Sequence, residues 1–291
     1  MNTMKQKKEK SQVQLVKMYK YIISKAYDGY TIRDFLASFK TANSKINRII
    51  NEKKYLVNGQ LIDTLKENDE LIISDVFNET IVEGIDKPLD VLFENNELLV
   101  VDKPQGIIIH GDDLDTLDKR VAYYLTSRGY LGVPRHLYRL DKDTTGVMVY
   151  VKDPLSLAKL SNDLENNLIE KYYSAICYGK TKKEDTINLP LGKDRHVNNK
   201  MIVYQKGKKA ITLYQMVDCN DLYSLLKIKL VTGRTHQIRV HMAYINHPVV
   251  GDTIYGKNDG QDLMLQCATI KLTDPITKKD LTFNVRSKLH L

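Results

Sequence analysis

Apolar residues along this 291-residue chain recur with two different spacings, and the change from one to the other divides it. In residues 31–76, Ile32, Phe35 and Leu36, then Ile46, Ile49 and Ile50, repeat at helical intervals, which predicts two short amphipathic helices. Tyr55-Leu56-Val57 then runs into Asn58-Gly59, a pair suited to a hairpin-type turn, and Leu71-Ile72-Ile73 reads as a closing strand. Residues 13–23 carry enough apolar side chains for a first strand or a short helix. Beyond Lys87-Pro88, short β-branched and aromatic runs dominate, at 91–93, 97–101, 147–151, 172–178, 211–217 and 222–230. One helix interrupts them at 155–167, with Leu157, Leu160, Leu164 and Leu168 on one side. Strands that mostly follow one another without helices between them predict an α+β domain with a mixed, mainly antiparallel sheet flanked by helices, not a doubly wound α/β fold.

The resulting division is a basic N-terminal arm (1–27), a small α/β unit (28–77), a polar linker (78–89) and a large domain (90–291). The arm holds Lys5, Lys7, Lys8, Lys10, Lys17 and Lys20 against Glu9 alone, the pattern of a solvated segment. It lacks the apolar stretch of a secretory signal, and no run approaches the ~18 apolar residues of a membrane span, so a cytoplasmic protein with no membrane partner is expected. Cys177, Cys219 and Cys267 are odd in number and form no C-x-x-C pair, which argues for buried small apolar residues over disulfides or zinc. Charge is more telling. Forty-four Lys and Arg against 36 Asp and Glu leave a formal +8, an excess suited to a polyanionic partner.

Two segments concentrate chemistry. Tyr138-Arg139-Leu140-Asp141-Lys142-Asp143-Thr144-Thr145-Gly146 places a carboxylate between an arginine and a Thr-Thr-Gly turn. Taken alone it reads equally as a surface turn with weak ion pairs. Asp143 offers Asp141 a second carboxylate, as glycosidases require, but no third acidic residue lies nearby for a metal. Downstream, Gly233-Arg234-Thr235-His236-Gln237-Ile238-Arg239-Val240-His241 gathers guanidinium, amide and imidazole groups. On a helix capped by Thr235, His236 and His241 stand about 140° apart, whereas a metal pair needs i and i+4. Ile238, Met242 and Ile245 share the core face, with Arg239 at its edge.

These segments resemble the signature of the RluA-type pseudouridine synthases. That pattern is R-L-D followed by a Thr/Ser-Gly turn, a K-x-Y strand, and G-R-x-H-Q-[IL]-R-x-H. The chain supplies Arg139-Leu140-Asp141 with Thr144-Thr145-Gly146, Lys171-Tyr172-Tyr173, and Gly233 to His241. Lys103-Pro104-Gln105-Gly106 with His110 precedes them, and Gly251-Asp252 with Tyr255-Gly256 follows, all in the family's order. The resemblance implies an RNA pseudouridine synthase that isomerises uridine with no cofactor and no metal. It makes Asp141 the catalytic aspartate, Tyr173 the aromatic that stacks on the base, and Arg239 the partner of Asp141. Arg139, Thr145, Lys103, His110, Lys171, Arg234, His236, Gln237 and Leu265 become candidates for substrate contact. Three positions depart from the pattern: Tyr138 and Gln266 replace usual histidines, and Thr145 a common serine.

The 28–77 unit resembles an S4 RNA-binding domain, with Lys45, Arg48, Lys53 and Lys54 gathered around its second helix. That implies a large structured RNA as partner, ribosomal RNA ahead of tRNA, for a monomeric enzyme. Two other classes compete: a non-catalytic RNA-binding or ribosome-assembly factor, and a hydrolase of N-glycosidic bonds. The first predicts loss of Asp141, Tyr173 or Arg239, and the second predicts release of free uracil.

Overall fold

In the first strand, alternation decides between strand and helix: Tyr19, Tyr21 and Ile23 are buried, while Met18, Lys20 and Ile22 face solvent. The computed structural model describes residues 13–287 and 289–291. β1 (Val13–Ile22) pairs antiparallel with β3 (Glu70–Glu79), which also pairs with β2 (Tyr55–Val57), giving the order β1-β3-β2. Between them lie the two expected helices, α1 (Ile32–Ser38) and α2 (Asn43–Asn51). Thr31 caps α1, its hydroxyl accepting from the Asp34 N–H at 3.1 Å. Ile32, Phe35, Leu36, Ile46 and Ile49 form the buried face against Tyr21 and Tyr27. Asn58 and Gly59 both take positive φ, at 49° and 79°, the requirement of the tight turn expected there.

The division at residue 27 therefore moves. Ten residues assigned to a basic arm belong to the small unit's sheet, and Lys5, Lys7, Lys8 and Lys10 lie outside the described residues. Residues 80–89 are not a loose linker either, because Val82 N–H donates to Gly132 O at 2.8 Å and Ile85 N–H to Lys119 O at 3.1 Å. The small unit is docked on the large one. Leu155 and Ile276 enter its core, the Tyr21 hydroxyl donates to Asp153 at 2.9 Å, and the Tyr27 hydroxyl to Pro275 O at 2.8 Å.

The large domain is a nine-stranded sheet built from β4 (Asp90–Glu94), β5 (Leu98–Lys103), β6 (Thr145–Val151), β7 (Glu170–Tyr178), β8 (Glu184–Asn188), β11 (Ile211–Cys219), β12 (Tyr223–Leu230), β13 (Leu265–Thr273) and β14 (Asp280–Asn284). Its order is β4-β5-β6-β13-β7-β12-β11-β8, with β14 on the far half of β13. Every pairing is antiparallel except β6 with β13, so the expected mainly antiparallel mixed sheet is present. β9 (Leu191–Lys193) and β10 (Met201–Val203) form a separate hairpin. Three helices pack beside these strands: α3 (Leu117–Ser127), α4 (Pro154–Glu165) and α5 (Gln237–Tyr244). Leu160 of α4 is buried as expected, but Leu168 is 65% exposed. The helix ends first, and Asn167 turns the chain at φ 57°. Cys177 and Cys267 are buried free thiols, and Cys219 is half-buried.

Candidate active site

Asp141 stands in the loop that enters β6, and the loop's shape comes from three neighbours. The Lys103 ammonium, wholly buried, donates to the carbonyls of Pro104 (3.0 Å), Lys142 (2.7 Å) and Thr144 (3.0 Å). Gly106 N–H adds a bond to Lys142 O at 3.1 Å. Gly146 lets β6 approach β13: its φ is 111°, and a Cβ there would sit 2.2 Å from the Cys267 carbonyl oxygen. Burial pushes the Lys103 amine down to about 8, while Asp143, Asp141 and Asp102 pull the other way.

Arg239 projects from the first turns of α5. Its Nε and Nη2 grip the two oxygens of Asp252, each at 2.8 Å, and its Nη1 reaches Asp141 at 3.4 Å. Asp252 is fully buried and also accepts from the Ile254 and Tyr255 N–H groups. Burial alone would raise its carboxyl, but the hydrogen bonds and charge of Arg239 hold it below the ordinary range. Sequence reasoning paired Arg239 with Asp141 and gave Asp252 no role. The structure shows that Asp252 takes the bidentate fork, leaving one nitrogen for Asp141. The Gly251-Asp252 motif was the available signal: Gly251 has φ 73°, and a Cβ on it would meet the Asp262 carbonyl oxygen at 2.0 Å.

His236 precedes α5 in the left-handed region (φ 55°) and takes the cap position expected for Thr235. Its Nδ1 lies 2.8 Å from the Tyr255 hydroxyl and its Nε2 is 3.8 Å from Asp141. Burial lowers its pKa, with the Asp141 charge opposing. His241, in contrast, is buried between Thr212 and Leu189 O.

A cleft of about 640 Å³ opens over Asp141, and His110, Arg139, Lys171, Tyr173 and Arg234 line it with that carboxylate. A smaller recess beneath it brings Asp141 and Tyr173 together with His236, Arg239 and Leu265. Asp141 keeps 25% of its side chain exposed to this space. Arg139 is exposed on the rim and Lys171 half-buried, its ammonium 5.7 Å from the Tyr138 ring centre. Tyr173, on β7, is buried to 6%, and burial followed by the adjacent Cys267 thiol pushes its hydroxyl well above the ordinary phenol value. His110 stacks on His136, a residue unassigned from sequence, at 5.4 Å.

Three candidates are not presented to the cleft as expected. Lys103 cannot reach RNA, because burial and three carbonyl acceptors occupy its ammonium. Gln237 borders the recess, but its Nε2 donates to Ile211 O and Thr212 and its Oε1 accepts from Thr232 and Arg234. Thr145 pairs with Gln266 in the β6–β13 ladder, and alternation along the strand brings Thr144 to the recess instead. At the departures from the resemblance, Tyr138 donates to Val147 O at 2.5 Å and Gln266 Nε2 to Arg286 O at 3.3 Å. In the small unit, Arg48 and Lys53 are exposed, Lys45 is half-buried, and Lys54 pairs with Glu52 at 2.6 Å.

Residues 97–244 match the model of the RNA pseudouridylate synthase family. The chain is 34% identical over 226 residues to ribosomal large subunit pseudouridine synthase D of Escherichia coli (strain K12), covering 74% of this chain and 68% of the relative. It is 38% identical over 169 residues to the uncharacterized RNA pseudouridine synthase YhcT of Bacillus subtilis (strain 168), spanning 56% of this chain and 55% of that protein. Human RNA pseudouridylate synthase domain containing 1 shares the fold, with a TM-score of 0.59 and 24% identity across 71% of this chain and 86% of that one. With the aspartate, tyrosine and arginine of the signature meeting in one cleft, the chain belongs to the RNA pseudouridylate synthase family.

Proposed function

We propose that this protein isomerises specific uridines of large-subunit ribosomal RNA to pseudouridine, with Asp141 as the catalytic carboxylate. The convergence of Asp141, Tyr173 and Arg239 on one recess carries this reading. The rearrangement breaks the C1′–N1 bond and makes C1′–C5 within one nucleotide, so atoms balance without an external reactant. What it needs is a carboxylate at the sugar–base junction and a place to hold the detached base.

Asp141, a quarter exposed, sits on a loop held by the Lys103 ammonium and open to an incoming nucleotide. Arg239 and Asp252 form a nearly neutral pair, so Arg239 orients Asp141 with one nitrogen without binding it bidentately. The carboxylate keeps lone pairs for substrate. A uridine in folded RNA must leave its stack, which costs a few kcal/mol. Stacking against the Tyr173 ring returns ~1–3 kcal/mol. The raised pKa of the Tyr173 hydroxyl supports a stacking role over proton removal from C5. Exposed Arg139 at the rim suits a phosphate of the flipped nucleotide. The three-stranded sheet and two helices of the small unit, with Lys45, Arg48, Lys53 and Lys54, are assigned an S4-like RNA-binding role. The ribosomal substrate rests on the likeness to ribosomal large subunit pseudouridine synthase D.

The test is incubation of unmodified large-subunit ribosomal RNA transcript with the protein, followed by site mapping of pseudouridine. Discrete modified sites are expected, lost in Asp141→Asn while RNA affinity stays within about threefold. Release of free uracil, or full turnover by Asp141→Asn, refutes the assignment.

A further inference from the structure

A second carboxylate borders the cleft and has no part in the reaction assigned to it. Glu165 closes α4 and lines the cleft with Asp141, as does Asn167 two residues on. Both side chains are exposed, and neither forms a hydrogen bond or ion pair among the described residues. Two electrostatic costs meet at Glu165. Its charge stands at the C-terminal end of a helix, the negative end of the dipole, and the last turn of α4 holds no basic residue to offset it. It also borders a cleft whose Arg139, Lys171 and Arg234 suit a polyanion, so it repels the backbone that they attract. A residue that breaks local rules without a compensating partner in the protein points to a partner outside it.

The backbone around this pair is held at both ends of α4. Asp153 caps the start of the helix, accepting from the Leu155 and Ser156 N–H groups at 3.0 and 2.9 Å, and also takes the Tyr21 hydroxyl of the small unit. At the other end Asn167, at φ 57°, closes the turn: its N–H donates to Leu164 O at 3.2 Å, and Leu168 N–H to Asp163 O at 2.8 Å. Leu160 and Ile169 are buried on either side of it. A carboxylate and an amide thus border the cleft on a fixed frame. Phosphate oxygens and carboxylates both only accept, so Glu165 cannot hold the RNA backbone. Base edges carry donors. Guanine offers two adjacent ones, N1–H and N2–H, to the two oxygens of one carboxylate, with the O6 acceptor beside them. Adenine and cytosine present one amine on that edge, and uracil one N–H. The Asn167 amide supplies the donor that O6 needs. Pockets for single drug-sized ligands start at ~300 Å³. A cleft of about 640 Å³ therefore has room for a base beside the flipped uracil.

We propose that Glu165, with Asn167 beside it, is the specificity-determining pair of the cleft and reads a guanine flanking the target uridine. This rests on the reading of the cleft as the site of uridine isomerisation. The guanine's two N–H donors replace the partner that the Glu165 carboxylate lacks in the protein, and every other base leaves that carboxylate short of one donor.

The test uses the full chain and large-subunit ribosomal RNA transcripts in which each nucleotide within two positions of a mapped target uridine is replaced in turn by the other three bases. At one position guanosine is expected to lead the alternatives at least tenfold in kcat/KM, the scale of one bidentate base contact. Inosine, which lacks the N2 amine, should lose most of that lead. In Glu165→Gln the preference should collapse to within twofold, with Tm unchanged or slightly raised as a charge leaves the helix end. Asn167→Gly keeps the left-handed turn and should reduce the preference about threefold. The absence of a guanosine-preferring position overturns the proposal. So does a Glu165→Gln effect of equal size on every transcript, which marks a ribose contact or simple charge repulsion. A preference untouched by Asn167→Gly removes Asn167 from the pair. Affinity for single-stranded heptamers bearing one uridine, with its neighbours varied, is read without turnover. A guanosine preference there that Glu165→Gln abolishes, with no pseudouridine formed on any transcript, strikes the assigned reaction and leaves the guanine contact standing. Pseudouridine formed without any preference does the reverse.

Discussion

Replacing Lys103 by methionine separates folding from catalysis. The substitution keeps the length of the side chain and removes its charge. The Lys142 carbonyl retains the Gly106 N–H, so only the Pro104 and Thr144 carbonyls lose the donors seen here. Two orphaned buried acceptors cost roughly 2–6 kcal/mol together. Against this stands the burial of an ammonium whose pKa falls from 10.5 to about 8. At 1.36 kcal/mol per unit, methionine relieves roughly 3 kcal/mol of that desolvation. The net effect is between about −1 and +3 kcal/mol, which moves Tm by no more than ~10 °C. Catalysis has no such compensation. Both lost anchors flank the Asp141 loop, and a misplacement of ~1 Å can reduce turnover by about a hundredfold. Single-turnover kinetics on an unmodified transcript should show kcat down ten- to a hundredfold, with the salt slope of RNA binding unchanged. In the unsubstituted protein the loop anchor is fully charged below pH about 8 and weakens as pH rises through that value, so Lys103→Met should lack this alkaline decline. Turnover within twofold of the parent, or a salt slope reduced by a full phosphate contact, would refute this account of Lys103.

Gly146→Ala should abolish soluble folding or cost more than about 4 kcal/mol by chemical denaturation, because its Cβ would overlap the Cys267 backbone at a φ that suits glycine. Glu97 is buried near Asp274 and Asp153, and burial first, then those charges, raise its carboxyl from 4.5 to about 7. The folded state binds that proton more tightly, so this group's stability is present below pH 4.5 and lost as pH rises through 7. Glu97→Gln should accordingly raise Tm at pH 8 and change it little at pH 4.5; equal shifts at both would contradict the assignment. Lys45→Gln with Lys53→Gln should weaken transcript binding and lower its salt slope by about one to two, while kcat at saturating RNA stays within twofold. An unchanged slope removes the small unit from the RNA interface.

Local order was legible in the chain wherever one physical signal acted alone. Helical spacing at Ile32, Phe35 and Leu36 and β-rich runs at 147–151 and 172–178 correspond to α1, β6 and β7, because burial of one face depends on nearby residues. The short β9–β10 hairpin and the strands β8, β13 and β14 were not resolved as elements, since their apolar patterns are brief or broken by polar residues. The same limit governs the site. Asp141, Tyr173 and Arg239 stood out because each lies in a dense motif of chemically specific residues. Lys103 and Gln237 lie in equally dense motifs, yet they turn inward to satisfy backbone carbonyls and neighbouring polar groups.

Sequence by itself determined the fold class, the family resemblance and the identity of the central aspartate, tyrosine and arginine, since these depend on residue type, order and spacing. Tertiary structure alone decided which polar groups face the cleft and which are sealed beneath it. It showed Asp252 holding Arg239, Lys103 holding the Asp141 loop, and the Tyr255 hydroxyl lying between the Met201 N–H of β10 and His236. The reason is geometric: a side chain's partners are set by contacts between segments tens of residues apart, and a polar residue carries no local mark of whether a distant carbonyl or a bound substrate will satisfy it.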